Sequence, residues 1–196
     1  MSSPTDLAAW RKARRAELLA AREAIPPAVR RSRNEAITRL LNSAFDVLAG
    51  SPIGFCWPYK GEPDPRFFLH AMRGRGSRTA LPVVVAKKQP LEFREWWPGA
   101  PTTPGVFDLP IPQGTEVMRP DALLVPPVGF DAQGYRLGYG GGFFDITLAS
   151  MTPQPLKIGV AFEVSRMPTI YPQAHDIPMD YIVTEDGLAQ VVDGTL

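Results

Sequence analysis

Residues 122–145, ALLVPPVGFDAQGYRLGYGGGFFD, open with four apolar side chains, break on two prolines and end with four glycines in five positions before a further apolar run. The opening predicts a short buried strand, and 143–151 predict a helix. Glycines between a strand and a helix permit positive φ and close approach of the backbone to a ligand. The start of the following helix aims unpaired N–H groups and a partial positive charge at the same place. Gly138, Gly140, Gly141 and Gly142 therefore describe either a phosphate cradle or a structural turn. A dinucleotide fingerprint needs glycine where Phe143 stands, and no Gly-Lys-Ser/Thr follows, so neither that motif nor the P-loop fits. Arg136 can lend a guanidinium to the same phosphates. Asp145, in the first turn of the helix, can face a metal ion or cap the helix.

The flanking sequence supplies the sheet. Residues 7–24 predict a helix capped by Thr5 or Asp6 and stopped by Pro26. A second helix over 27–48 places Ile37, Leu40, Leu41, Phe45 and Leu48 on one stripe, which reads as core. Residues 53–57, 81–86, 157–162 and 181–184 are short apolar runs that predict buried strands. Residues 91–94 alternate like an exposed strand, and 66–73 suggest a short helix. Short apolar strands alternating with helices predict an open, mainly parallel α/β sheet. We expect one domain over 1–196, with 1–50 as a helical N-terminal arm. In such sheets ligands bind beyond the carboxyl ends of the strands. Residues 98–127 hold eight of the 22 prolines and predict an irregular connection of the kind that often carries function.

Composition narrows the function classes. The chain has 196 residues, 44% apolar and 21% charged, enough for a real core. Twenty-one basic against twenty acidic residues leave no overall field to attract nucleic acid. No apolar run reaches the length that spans a bilayer. Cys56 is the single cysteine, so no internal disulfide can form. It reads as a small buried hydrophobe, and its solitude points to a reducing compartment, the cytoplasm.

Charge is uneven, because residues 11–39 carry nine Arg or Lys and three Glu. Arg11, Lys12, Arg14 and Arg15 there are either a solvated helix face or contacts for a nucleotide phosphate. A transit peptide fits poorly, because glutamates interrupt the run and Pro26-Pro27 breaks it. After the first strand, the loop PYKGEPD over 58–64 offers Glu62 to a heterocycle, or leaves it and Asp64 as solvated turn carboxylates. No metal-ligand spacing involves His70 or His175.

Taken together, RLGYGGGFFD preceded by LLVPPVGFDAQGY resembles the signature of the 5-formyltetrahydrofolate cyclo-ligases, also called methenyltetrahydrofolate synthetases. The basic opening RKARRAELLAAREAIPP, then PYKGEPD, LEFREWWPG, VFDLPIP, IGVAFE and HDIPMDYIVTEDG, are similar to that family's segments and fall in its order from Arg11 to Gly187. Three positions depart from its pattern: Phe143-Phe144 replace a tyrosine pair, Arg11 replaces a lysine, and Pro63-Asp64-Pro65 is stiffer than the usual loop.

The resemblance implies a three-layer α/β/α sandwich of the type shared with ribose-phosphate isomerases and CoA-transferases. It implies a reaction in which the formyl oxygen of 5-formyltetrahydrofolate takes the γ-phosphate of ATP, N10 closes the ring, and phosphate leaves. The implied catalytic residues are Glu62 and Arg136. For ATP they are Arg11, Lys12, Arg15 and Arg136, with Leu137, Gly138, Tyr139, Gly140, Gly141, Gly142, Phe143 and Phe144 around the phosphates. Folate would meet Phe55, Trp57, Glu62, Phe107 and Phe143, and Mg²⁺ would be held by Asp145 and Asp180. A small-molecule enzyme without nucleic-acid or membrane partners, monomeric or weakly dimeric, is the expectation. Two alternatives stand beside it: a paralogue that binds folate or nucleotide without turnover, and an isomerase or CoA-transferase relative that needs no ATP.

Overall fold

The computed structural model describes residues 4–105 and 108–191. Among these, the helices are Leu7–Glu23 (α1), Pro27–Ala44 (α2), Arg66–Gly74 (α3) and Phe143–Ser150 (α4). The first five strands are Ile53–Phe55 (β1), Thr79–Val83 (β2), Glu92–Trp96 (β3), Thr102–Pro104 (β4) and Pro110–Pro112 (β5). Ala122–Val125 (β6), Gly129–Phe130 (β7), Arg136–Leu137 (β8), Leu156–Val160 (β9), Tyr181–Thr184 (β10) and Gly187–Gln190 (β11) follow.

Seven strands form one sheet in the order β11-β10-β9-β6-β1-β2-β3. The inner strands β10, β9, β6, β1 and β2 are parallel, while β3 and β11 close the edges antiparallel. Side chains on successive strand residues leave opposite faces, and β6 shows the consequence. Ala122 and Leu124 join a core with Ile37 and Leu41 of α2 and Phe68, Leu69 and Met72 of α3. Leu123 and Val125 join Phe130 and Leu148 of α4 on the other face. Burial on both faces is what makes these strands continuously apolar, and the result is the expected three-layer sandwich.

Local chemistry explains the boundaries. Asp6 caps α1, its carboxylate accepting from the Ala9 N–H at 2.9 Å. Pro27 starts α2 at a position where a missing N–H costs nothing. That helix ends at Ala44 rather than 48, because Phe45 leaves helical geometry and a 3₁₀ turn, Asp46–Leu48, follows. Phe45 and Leu48 stay in the core, so the stripe survives the change of helix type. β2 begins two residues earlier than the apolar run suggested, since Thr79 pairs with Ile53 of β1. Val84 and Val85 are left exposed beyond the strand's end. The proline-rich stretch contains the β4-β5 hairpin, and β7-β8 form a second; these strands of two or three residues carry no detectable alternation.

Residues 1–50 are not a uniform arm. α2 is a structural layer, whereas α1 lies across the carboxyl edge of the sheet. Leu18 packs over Gly129 of β7, with its Cδ1 2.6 Å from where a Cβ would stand there. Trp10 meets Tyr171 edge-on, centroids 4.9 Å apart. No helix among the described residues is long and apolar enough to cross a membrane.

Candidate active site

The carboxyl ends of β1, β6 and β9 point to the edge that α1 covers, and two loops converge there. The first is the glycine loop, 138–142, between β8 and α4. Gly140 has φ +100 and Gly142 φ +66, conformations that side chains resist. Gly142 is the N-cap of α4 and contributes no side-chain cap, so the helix's first N–H groups keep no local acceptor from that residue. Arg15 of α1 donates from Nε to the Gly138 carbonyl at 2.7 Å. Its guanidinium carbon would lie in ordinary contact, 3.4 Å, with a Cβ on Gly140, so it is the φ of +100 rather than the space that calls for glycine there. Burial, and next the charge of Arg11, disfavour the charged form of Arg15.

The second loop turns through Lys60, at φ 46, and Gly61, at φ 70, and drives Glu62 inward. Glu62 is 5% exposed, which excludes the solvated-turn reading. Its Oε2 accepts from the Tyr59 N–H at 2.9 Å, and its Oε1 accepts from the Tyr139 hydroxyl at 2.7 Å. Arg22 of α1, 1% exposed, completes the cluster. It donates to the Lys60 carbonyl at 2.9 Å, the Pro127 carbonyl at 3.3 Å and the Tyr139 hydroxyl at 2.7 Å, and stands 3.6 Å from Glu62 Oε1. Burial pushes the Glu62 carboxyl above the usual carboxylate range; Arg22, the Tyr139 hydroxyl and the Tyr59 N–H pull the other way. Burial, then the Glu62 charge, pushes the Tyr139 phenol up. Burial, and next the Glu62 charge, does the same to the neighbouring Cys56 thiol.

A third group sits where α4 begins. Arg136 donates to Asp145 Oδ1 at 2.8 Å and to the Ile177 carbonyl, and Asp145 Oδ1 also accepts from the Ile177 N–H at 3.0 Å. Asp145 therefore does not cap its own helix. Asp176 is close enough to Arg136 to favour its charge, against the effect of burial. Arg11 anchors α1 to the same segment, donating to Asp176 at 2.7 Å, Tyr171 O at 2.9 Å and Ile170 O at 3.2 Å.

Other residues expected at the site divide between the core, the two loops and the surface. Phe55 is 1% exposed, its ring held in the core by Trp96, so the strand that carries it spends it on packing. Trp57 is half-buried beside the Glu62 loop, edge-on to Trp96, with the Arg66 guanidinium 4.5 Å from its ring. Leu137 is buried with Met167 and Ile170, and Phe144 packs against the α4-side core. Phe143 folds back under its own loop, 2.8 Å from a Cβ position on Gly141. Lys12 is exposed. Phe107 lies outside the described residues.

Asp180 is not brought to Asp145. It precedes β10 at the amino edge of the sheet, where Lys157 holds it through a backbone N–H and an Nζ contact, both 2.8 Å. The acid that does approach Arg136 and Asp145 is Asp176, which the sequence reading left without a role.

Arg22 was also missed, although its signal was present. Arg11, Arg15, Leu18, Arg22 and Ile25 follow at intervals of four, three, four and three, so three arginines share the inward face of α1. An arginine on an apolar stripe needs a buried partner, and here that partner is Glu62.

Comparison with known proteins bears on all of this. A family model described as the 5-formyltetrahydrofolate cyclo-ligase family matches residues 7–185. A 5-formyltetrahydrofolate cyclo-ligase of Mycolicibacterium smegmatis is 28% identical over 178 residues, covering 87% of this chain and 91% of that one. The Escherichia coli K12 protein of the same description is 28% identical over 157 residues, 76% of this chain and 86% of that one. Among solved structures, a 5,10-methenyltetrahydrofolate synthetase of Aquifex aeolicus superposes with a TM-score of 0.81 at 27% identity, over 95% of both chains.

Proposed function

The chain belongs to the 5-formyltetrahydrofolate cyclo-ligase family, and from that premise we propose a division of labour among the residues of its site. The enzyme performs the ATP-dependent conversion of 5-formyltetrahydrofolate to 5,10-methenyltetrahydrofolate. Of the three readings open at the sequence level, this selects the cyclo-ligase over a non-catalytic binder and over an ATP-independent isomerase or transferase.

The observation that carries the residue assignment is the meeting of the two loops. The glycine loop and Glu62 are joined through one phenol, so a nucleotide on the first stands beside a folate on the second. In our reading the N–H groups of 138–142 and the start of α4 receive the ATP phosphates. Arg15 adds positive charge that burial beside Arg11 disfavours, and a phosphate would relieve that cost. Glu62 accepts hydrogen bonds from the heterocycle and fixes the formyl oxygen in line with the γ-phosphate. Positioning is the main demand, since phosphoryl transfer needs alignment and charge neutralisation more than covalent help. The transfer breaks the bond between the β- and γ-phosphates, releases ADP and leaves a phosphorylated imidate; N10 then attacks its carbon and gives up its proton to solvent, and inorganic phosphate departs with the electrons of the C–O bond. Arg136 is assigned to positioning, because its guanidinium is already committed to Asp145 and Ile177. Trp57 remains the aromatic face beside Glu62.

Magnesium fits the acids near α4. The hydrogen bonds on Asp145 use Oδ1 and those on Asp176 use Oδ2; each has a second oxygen, that of Asp176 standing 3.7 Å from the exposed His175. Magnesium is an ion that takes one or two carboxylates and completes its shell with phosphates and water. Asp145 and Asp176 would hold it, and it would supply charge neutralisation at the phosphates. We place the enzyme in the cytoplasm because its single cysteine is left free, as in a reducing compartment.

Absorbance of the protein with 5-formyltetrahydrofolate provides the test. The methenyl chromophore is expected only when ATP and Mg²⁺ are both present. Product formation without ATP, or binding of both ligands with no product, would overturn the reading.

A further inference from the structure

Tyr139 belongs to the glycine loop, yet its side chain serves the other half of the site. Its ring is open to solvent, with 47% of the residue exposed, while its hydroxyl is enclosed between Glu62 and Arg22. That hydroxyl is the direct link between the two charges. It accepts from Arg22 at 2.7 Å and donates to Glu62 Oε1 at 2.7 Å, whereas the guanidinium itself stops 3.6 Å short of the carboxylate. Tyr139 is flanked by Gly138 and Gly140, so it lies within the loop assigned above to phosphate. The Tyr59 ring lies beside it, its centroid 6.0 Å from that of Tyr139.

We propose that Tyr139 is a positioning residue that carries the state of the phosphate loop to Glu62, holding the carboxylate ionised and aligned for folate when the loop is in its binding conformation. The proposal rests on the folate-binding role assigned to Glu62 above. Its physical basis is that a donor hydrogen bond to a carboxylate favours the charged form, and burial disfavours that form here. Among the described residues, the charged and titratable groups around Glu62 include Arg22 from α1, Tyr139 from the glycine loop, Tyr59 from the loop after β1 and Cys56 from the end of β1. Of these, Tyr139 alone belongs to a segment that would also bind phosphate. By reciprocity, a link of this kind makes nucleotide and folate affinities depend on each other.

Tyr139→Phe keeps the ring and deletes the hydroxyl. With the fold verified by an unchanged circular dichroism spectrum, the acid limb of kcat/KM for folate is expected to move up by about one pH unit, the scale of a hydrogen bond to a charged group. The dependence of ATP affinity on bound folate is expected to vanish. A merely structural tyrosine would change neither. Arg22→Lys provides a second variant, keeping the charge but not reaching the phenol with the same fork; it should show a smaller shift in the same direction. Glu62→Gln separates the two layers of argument. If that variant loses turnover while Tyr139→Phe keeps the wild-type acid limb and coupling, the role of Tyr139 is overturned and that of Glu62 stands. Full activity of Glu62→Gln would remove the premise and the proposal together.

Discussion

At the scale of single residues, the site is governed by one buried carboxylate. Glu62 in the folded chain binds its proton more tightly than an ordinary glutamate, because burial outweighs Arg22, Tyr139 and Tyr59. For stability the sign follows directly. Between the unfolded value, about 4.3, and the raised folded value, the native state holds more protons than the unfolded one. Stability from this group is thus complete below the unfolded value and is lost as pH rises through the folded one. Glu62→Gln cannot titrate, so its melting temperature relative to wild type should improve between pH 4 and pH 8; a constant difference would contradict the raised value. The same variant should lose about 100-fold or more in kcat/KM for folate, the scale seen when a preorganised polar contact is removed, with ATP binding by calorimetry little changed. Glu62 was picked out in the sequence because it follows a strand in a Gly-Glu turn. Its burial was not legible there, because that depends on Arg22 arriving from forty residues upstream.

Elements show the same division. α1, α2, α3 and α4 were legible from caps, prolines and apolar stripes, and β6 and β10 were read to the residue. The β4-β5 and β7-β8 hairpins and β11 escaped, being short and polar or proline-bearing, with no alternation to detect. α1 illustrates how an element's role differs from its existence. Its N-cap is a surface feature, and Asp6→Ala should cost about 1 kcal/mol. Arg22→Met should cost more, about 3 kcal/mol or above, because it leaves Glu62 buried without its counter-charge. Thermal melts of the two variants check this ordering, with the second expected to fall by roughly 10 °C against a few degrees for the first. Equal losses would mean that α1 is held by its apolar face alone.

For the whole molecule, what matters is that parallel strands end together. β1, β6 and β9 deliver the Glu62 loop, the Pro126-Pro127 turn and the 161–165 segment to one edge, where α1 places Arg22 on the Glu62 loop and Pro127, Arg15 on Gly138 and Arg11 on Asp176. A ligand bound there should stabilise the entire fold. At 100 times its dissociation constant, Mg-ATP is expected to add about 2.7 kcal/mol, a rise of roughly 5–10 °C at this chain length. Asp145→Asn, which keeps the shape but weakens the hold on Arg136, should reduce that rise; an undiminished shift would separate Asp145 from the nucleotide. The sequence by itself determined the sheet's parallel character, its ligand edge, the glycine loop and the family signature, because periodicity, turn residues and motifs are local. Only the tertiary structure decided which acid stands by Asp145, which arginine neutralises Glu62, and that α1 is a cover while α2 is core. Those are contacts between segments 32 to 165 residues apart, and burial and charge pairing at that distance are properties of the assembled edge; the spacing of arginines along α1 marks an inward face but does not name the partner that face meets.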